Sequence, residues 1–357
     1  LIKLKRKNKS ELINSDSCER KMRFREGDFI ESKEHLIFDV KGLIHPPEKV
    51  IAFLRYIPDE TGDRKKDGLT FKKIYSLDEK NELLKKLWPN YLSFDKVFGK
   101  VLPLIPFSSI LRYYDPIVKL KELKEKNERD TLEQKALEFA ETIIEATGIP
   151  SRFFGISGSI LVNLHKIDSD IDLIVYGEKN SFKAYDSLKT LFSTNKALKH
   201  YDEFDIKNLY KARGMEKSMS FNAFFYHERR KFLEGKFKGK DFFVRCIKDW
   251  NEIKESYGKC IYREVGNTVL KAKIEDSSEA IFTPSKYKIK ETYILEGDRK
   301  KIPLEIVSFR GRFCEQAFEN EKVMARGKLE KVLTKNEEFF RLVIGEDPRD
   351  FLICLRK

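Results

Sequence analysis

The spacing of hydrophobic and polar positions changes character along the chain, and each change predicts a different kind of element. Up to residue 26 the chain is polar and basic, with Lys3, Lys5, Arg6, Lys7, Lys9, Arg20, Lys21, Arg23 and Arg25. This predicts a flexible basic arm over 1–26 that touches phosphates or simply stays solvated. From Gly27, short β-branched and aromatic runs occupy 28–30, 36–40, 50–54 and 69–75, separated by Gly42, Pro46-Pro47, Pro58-Asp59 and Gly62-Asp63. Short strands punctuated by turn residues predict a small mixed or mostly β module over 27–129. Helical material lies within it: Leu83, Leu84 and Leu87 have helical spacing, and 117–129 is a Lys/Glu-rich helical connector.

A sharper pattern begins at Asp130. Thr131, Leu132, Glu133 and Gln134 match the Ser/Thr-x-x-Glu/Gln capping box. Leu132, Ala136, Leu137, Phe139, Ala140, Ile143 and Ile144 then form one helical stripe, ended by Gly148 and Pro150. Residues 152–156 read as a buried strand, Ser157-Gly158-Ser159 as a small-residue turn, 160–165 as one or two helical turns, 170–177 as a second strand and 180–193 as an amphipathic helix. Alternation returns at 269–274, 287–294, 303–307 and 341–344, with turn signals at 296–298 and 345–348. That predicts a β-rich domain over 266–357, of the small-barrel type. The fold class is therefore α+β: a core over 130–265 flanked by two β-containing domains.

Composition narrows what such a chain can do. Its 357 residues suffice for two or three domains. The 28 Phe and 14 Tyr supply the apolar surface that folding requires. No apolar run approaches the roughly 18–20 residues that span a bilayer, and the start has no signal-peptide pattern. A cytoplasmic protein with no membrane partner is the expectation. Lys and Arg total 71 against 58 Asp and Glu, a net charge of +13. Such a surplus points to an anionic partner or to a Lys/Glu-rich, thermophile-like surface. Cys18, Cys246, Cys260, Cys314 and Cys354 form no CxxC pair, and the five histidines are scattered. Neither a disulfide framework nor a zinc site is expected.

The chemistry concentrates in 151–177. On a strand, residues i and i+2 face the same side, so Asp170 and Asp172 project together. Paired carboxylates repel unless a cation neutralises them, and a hard divalent ion suits them. Gly158 and Ser159 sit where a strand ends and a helix begins, a place where backbone N–H groups and a hydroxyl meet phosphate. Gly158-Ser159, followed eleven residues later by Asp170-Ile171-Asp172 in a hydrophobic strand, resembles the signature of the polymerase-β-like nucleotidyltransferase superfamily. The longer string from Gly158 to Gly177 resembles the predicted archaeal nucleotidyltransferases that carry extra flanking domains. The likeness covers about 130–260 and is sharp over 153–177.

The resemblance implies a small mixed sheet with helices and two Mg²⁺ or Mn²⁺ ions on Asp170 and Asp172. It also implies attack of an acceptor hydroxyl on the α-phosphate of a nucleoside triphosphate such as ATP. The superfamily usually supplies a third carboxylate from a later strand. Asp241, opening the run 241–247, is the candidate here for metal and catalysis, with Asp205 second. The family embeds this acid deeper in its strand, where this chain has Phe243. Basic residues at 207–213 and 229–240 are candidates for phosphate, with Arg213 and Arg230 taken for the triphosphate. Phe224, Phe225, Tyr226, Phe232 and Phe237 could stack on a base or fill a core. His165 could face the site or the surface. Arg310-Gly311-Arg312-Phe313 and Arg326-Gly327-Lys328 fit a nucleic-acid surface or strand turns equally. The expected acceptor is a nucleic acid 3′ end, RNA rather than DNA, with the charge surplus gathered at 207–240. Two alternatives stay open: a catalytically weak nucleic-acid or ribonucleoprotein-binding protein, and transfer to a small molecule or a protein.

Overall fold

The computed structural model describes residues 23–355. Most of the expected basic arm lies outside the described residues. Its last part belongs to the fold, because Phe24, Arg25 and Glu26 are buried.

The N-terminal module contains β1 (Phe29–Ser32), β2 (Ile37–Val40), β3 (Lys49–Pro58), β4 (Arg64–Lys66), β5 (Leu69–Lys73), α1 (Leu77–Leu87), β6 (Leu92–Asp95), β7 (Lys100–Pro106) and β8 (Ile110–Tyr114). The sheet runs β4-β5-β3-β2-β1-β8, with β7 on the first residues of β3 and β6 on β7. Strand β3 organises it. Val50, Ala52 and Leu54 enter a core with Phe38, Leu84 and Ile105, while Phe53 and Arg55 occupy the opposite face. α1 starts at Ser76, whose hydroxyl accepts the Glu79 N–H.

Asp28, just before β1, accepts the Arg25 backbone N–H and the Tyr113 hydroxyl, both at 3.0 Å. Burial pushes its carboxyl up to about 8. The protonated form therefore stabilises the fold at low pH, and that contribution is lost as pH rises through 8. Between about pH 4, where the unfolded carboxyl titrates, and pH 8 the protein should lose about 1.4 kcal/mol of stability per pH unit from this group, and Asp28→Asn should remove that slope. Equal slopes in both proteins, followed by circular dichroism, would refute the assignment.

The central unit comprises α2 (Pro116–Glu125), α3 (Thr131–Thr147), β9 (Phe154–Ile156), α4 (Gly158–Leu161), β10 (Ile171–Tyr176), α5 (Glu178–Thr194), β11 (Leu198–Lys199), α6 (Glu203–Ala212), α7 (Phe221–Glu228), β12 (Glu234–Phe237) and β13 (Lys240–Ile247). Its sheet runs β11-β12-β13-β10-β9. Only the β10–β13 pair is parallel. One face packs against α3 and α5 through Leu173, Val175, Phe242, Val244 and Cys246. The other face carries Asp172, Ile174 and Tyr176 beside Phe243, Arg245 and Ile247.

Two local readings shift. The cap of α3 is Asp130, paired with Glu133, one residue earlier than the Thr131 box. α2 is no solvated connector. Pro116, Leu120 and Leu123 form an i, i+4, i+7 stripe inside the Lys/Glu run and are buried in this unit. Gly155 of β9 lets α2 approach, since a Cβ there would lie 2.6 Å from the Pro116 side chain.

The C-terminal unit comprises β14 (Ile261–Asp276), β15 (Ser285–Glu296), β16 (Pro303–Ser308), β17 (Lys322–Leu333), β18 (Glu338–Val343) and β19 (Phe351–Cys354). The order β14-β15-β16-β18-β17 returns to β14 and closes a five-stranded barrel, with β16 and β18 parallel and β19 added on β17. This is OB-type connectivity. β17 contains Arg326-Gly327-Lys328 in its middle, so these residues are strand and not a strand turn. A Cβ on Gly327 would lie 2.3 Å from the Val343 carbonyl oxygen, so the glycine permits close strand approach. Gly311 similarly makes room for the Phe243 ring of the central unit. Overall, helices and three β-sheets give a mixed α+β chain with several β-containing parts. Among the described residues, no helix is long and apolar enough to cross a membrane, and Cys246, Cys260, Cys314 and Cys354 are unpaired.

Candidate active site

β9 and β10 are antiparallel neighbours, and the turn between them folds back onto the β10 strand start. The Ser157 N–H donates to the Asp172 carbonyl at 2.8 Å. The Ser157 hydroxyl donates to the Gly27 carbonyl of the N-terminal module at 2.6 Å. Gly158 then adopts φ +65°, and a Cβ there would meet Asp172 Oδ2 at 2.0 Å. Only glycine satisfies both the left-handed backbone and this approach. The next residue, Ser159, is buried with a hydroxyl that has no hydrogen-bond partner. A buried polar atom normally finds a partner, so this hydroxyl holds unused hydrogen-bonding capacity beside the turn.

Asp170 is exposed and Asp172 half-buried on the same side of β10. Burial, and then the neighbouring Asp170, push the Asp172 carboxyl up to about 6, against the pull of Arg245, Arg55 and Lys73. The spacing thus creates the repulsion that a cation would relieve. The glycine cradle, the orphan hydroxyl and the paired hard-oxygen donors fit a divalent ion with a phosphate group. Gly158, Ser159, Asp170 and Asp172 come together as expected from the sequence.

Asp241 lies at the start of β13. The register Ile171↔Phe242 places it beside Asp170, on the sheet face that carries Asp172. Burial raises its carboxyl, with Asp205 and Asp170 adding to the effect and Lys236 opposing it. The residue directly across from Asp172 is Phe243. Asp205 closes the capping box of α6 with Asp202 and pairs with Lys236, the residue across from Asp241.

Arg213 and Arg230 are both matched within the protein. Arg213 bonds Glu234 at 2.6 Å and Glu228 at 3.3 Å in a buried cluster completed by Lys231, which reaches the same acids at 2.9 and 2.7 Å. Arg230 pairs with Glu321 at 2.7 Å and lies between the Tyr226 and Phe318 rings. Lys238 pairs with Glu138. The expected concentration of free positive charge at 207–240 therefore does not arise at these positions. Phe224 and Phe237 fill the core.

His165 bonds Asp130 at 2.6 Å and faces the start of α3. Asp130, Glu133 and His165 approach closely enough to hold an ion. Asp130 and Glu133 already cap α3, and Lys126 pairs with Glu133.

The cations that do act on the carboxylate pair were not selected from the sequence. They are Arg55 of β3, Lys73 of β5 and Arg245 of β13. Their only trace in the chain is an arginine inside the apolar run 50–57 and another inside 242–247.

Gly158→Ala should cost about 1–2 kcal/mol from the left-handed backbone alone and push the Asp172 carboxylate aside. A Gly158→Ala variant that melts at the wild-type temperature would show that the turn has no such tightness.

No family model and no solved structure matches the chain. The uncharacterized protein MJ1086 of Methanocaldococcus jannaschii is 33% identical over 334 residues, covering 91% of this chain and 96% of that protein. Similarity of that extent includes all three β-containing units, and on it the chain belongs to the same family as MJ1086.

Proposed function

We propose that the protein is a metal-dependent nucleotidyltransferase of the polymerase-β-like type. The observation that carries this reading is the fit of Gly158 against the Asp172 carboxylate, beside a buried Ser159 hydroxyl without a partner. Asp170 and Asp172, with Asp241 at the edge, would hold Mg²⁺ or Mn²⁺. When bound, such ions neutralise phosphate charge and polarise the oxygens of an in-line displacement. The chain's own residues position the reactants. Gly158 lets the triphosphate approach the backbone, and Ser159 offers it a hydroxyl. In the transfer, the acceptor hydroxyl oxygen bonds to the α-phosphorus and the bond to the bridging oxygen breaks. Pyrophosphate leaves, and the hydroxyl proton passes to a nearby carboxylate. Asp241 is suited to that task, since burial favours its protonated form.

The acceptor in this reading is a nucleic acid 3′ end, RNA rather than DNA. The net charge of +13 supports it, as does a barrel architecture that elsewhere binds oligonucleotides. A second reading has one observation in its favour: Phe243 stands across from Asp172, where a third acid would complete the site. It is a nucleic-acid-binding protein that retains the fold with little chemistry.

The deciding experiment supplies Mg²⁺ or Mn²⁺, each labelled nucleoside triphosphate, and RNA, DNA, small-molecule and protein acceptors. Label on RNA, lost in Asp241→Asn, supports the first reading with Asp241 as base. No transfer to any acceptor, with tight and salt-sensitive RNA binding, supports the second. Label on a small molecule or protein alone would overturn the nucleic-acid acceptor.

A further inference from the structure

The outer face of the barrel carries positive charge that the protein's own acids do not neutralise. β14 lies between β15 and β17, and the register aligns outward residues of the three strands into rows. Lys271 stands between Tyr293 of β15 and Met324 of β17. Lys273, two residues on and therefore on the same face, stands between Lys290 and Lys322. Val269 sits across from Arg326 in the row before. Neighbours within a row are about 5 Å apart at their Cα atoms. Lys271, Lys290 and Lys322 are exposed and Lys273 is half-buried. Among the described residues Lys271, Lys273, Lys322 and Arg326 form no ion pair, and Lys290 meets Glu275 at 3.8 Å.

Barrels of this connectivity bind oligonucleotides on the face of their second and third strands, here β15 and β16. That face is matched by acids in this chain. Lys286 lies 3.7 Å from both Glu279 and Glu305, and Lys288 lies 3.2 Å from Asp276. The unmatched charge has moved to β14 and β17. A bulge adds an aromatic ring to it. Lys271 pairs with Tyr293 and Lys273 with Lys290, so β15 holds one residue more than β14 over this stretch, and Glu291 within it takes φ 52°. In a regular strand, residues three apart point to opposite faces. The bulge turns Lys290 and Tyr293 outward together, and Tyr293 is 72% exposed beside Lys271 in the ladder. In the other direction the rows continue from Met324 to Ile353 and from Arg326 to Phe351 on β19. Ile353 and Phe351 pack with Ile206 of α6 and Phe224 of α7. The cationic face thus ends at helices of the unit that holds Asp170 and Asp172.

From these rows we infer that Lys271, Lys273, Lys290, Lys322 and Arg326, with Tyr293, form a binding surface for single-stranded nucleic acid, on the β14–β17 side of the barrel. The cations take backbone phosphates and the Tyr293 ring stacks on a base. Ammonium groups spread along an exposed sheet suit a repeating polyanion better than one compact anion. The outward ring favours bases, since every base has a face to stack and an acidic polypeptide has none. That the bound strand is the acceptor rests on the transferase reading; the surface itself is read from register and charge. Arg230 and Lys328 stand apart from it, because Glu321 neutralises the first and Glu264 the second.

The test is fluorescence anisotropy of the full chain with labelled single-stranded RNA, without nucleoside triphosphate or divalent metal. Wild type is expected to bind, more weakly as salt rises. Lys271→Gln/Lys273→Gln/Lys322→Gln should weaken binding about tenfold or more and lower the slope of log affinity against log salt by about 2, at roughly 0.7 per phosphate contact. Tyr293→Ala should weaken it about tenfold, the scale of one base–aromatic stack, and should have no effect on an abasic strand. Lys65→Gln/Lys85→Gln/Lys86→Gln removes the same charge from exposed positions of the N-terminal module and should leave binding unchanged. All of these variants should melt with wild type, which separates lost binding from lost folding. No binding by wild type, or equal weakening by the two triple variants, overturns the surface. So does polyglutamate that binds as tightly as RNA, because the patch would then serve an acidic polypeptide. RNA bound through this patch in a protein that transfers no nucleotide would overturn the transferase and leave the surface standing. Transfer to limiting RNA that is undiminished in Lys271→Gln/Lys273→Gln/Lys322→Gln would do the reverse.

Discussion

If the proposed transferase reading holds, replacing Asp170 and Asp172 together by alanine lowers nucleotide transfer about 10²–10³-fold, the scale seen when a preorganised electrostatic group is removed from a reacting centre. The same change should make the metal-free protein more stable. Asp172 titrates near 6, about two units above an ordinary aspartate, because burial and Asp170 both oppose its charge. Below pH 4 the protonated form relieves that penalty; as pH rises through 6 the relief is lost. At pH 7 the ionised group therefore costs about 2–3 kcal/mol, which the alanines remove. Thermal melts with and without Mg²⁺ check this. Wild type should gain stability from the ion and the double variant should not. Transfer that persists in the double variant would refute the metal site. A double variant less stable than metal-free wild type would show that the two carboxylates serve folding instead.

Arg213→Met is expected to destabilise the protein by about 3–5 kcal/mol, because it leaves acids buried without one of their partners. Glu228 and Glu234 are almost fully buried, and Arg213 with Lys231 supplies their only cationic contacts within 4.0 Å among the described residues. Burial and the adjacent Glu234 already push Glu228 up to about 7, so losing one cation should protonate it outright. Nucleoside triphosphate binding, measured below the variant's melting temperature, should match that of wild type. A variant as stable as wild type but deficient in polyphosphate binding would return Arg213 to the phosphate-binding role first read from the sequence.

The contrast between Arg213 and Arg55 shows how far the chain could be read directly. Arg213 drew attention because it sits in a basic stretch. Yet its partners Glu228 and Glu234 lie fifteen and twenty-one residues on, brought to it by the turns between α6 and β12. Arg55 sits inside an apolar strand and comes to act on Asp172 only through the tertiary fold. Charge runs report composition, whereas free charge depends on which acids the fold carries to each base. β17 was obscured for a related reason. Arg326-Gly327-Lys328 has the composition of a loop, and the glycine is there because the Val343 carbonyl approaches too closely for a Cβ.

What the chain determined by itself was local and periodic. The stripe of α3, the alternation of β10 and the small-residue turn before α4 depend on 3.6- and 2-residue repeats and on glycine's backbone freedom, which act over a few residues. From them alone Gly158, Ser159, Asp170 and Asp172 could be placed in one site. Tertiary structure decided what surrounds that site: that Phe243 faces Asp172 while Asp241 stands beside Asp170, that Arg213 and Arg230 are neutralised, and that Arg55 and Lys73 of the N-terminal module act on Asp172. Pairing between distant segments sets these matters. A residue's charge is written in its side chain, but whether that charge remains available is settled by packing with partners that sequence order does not reveal.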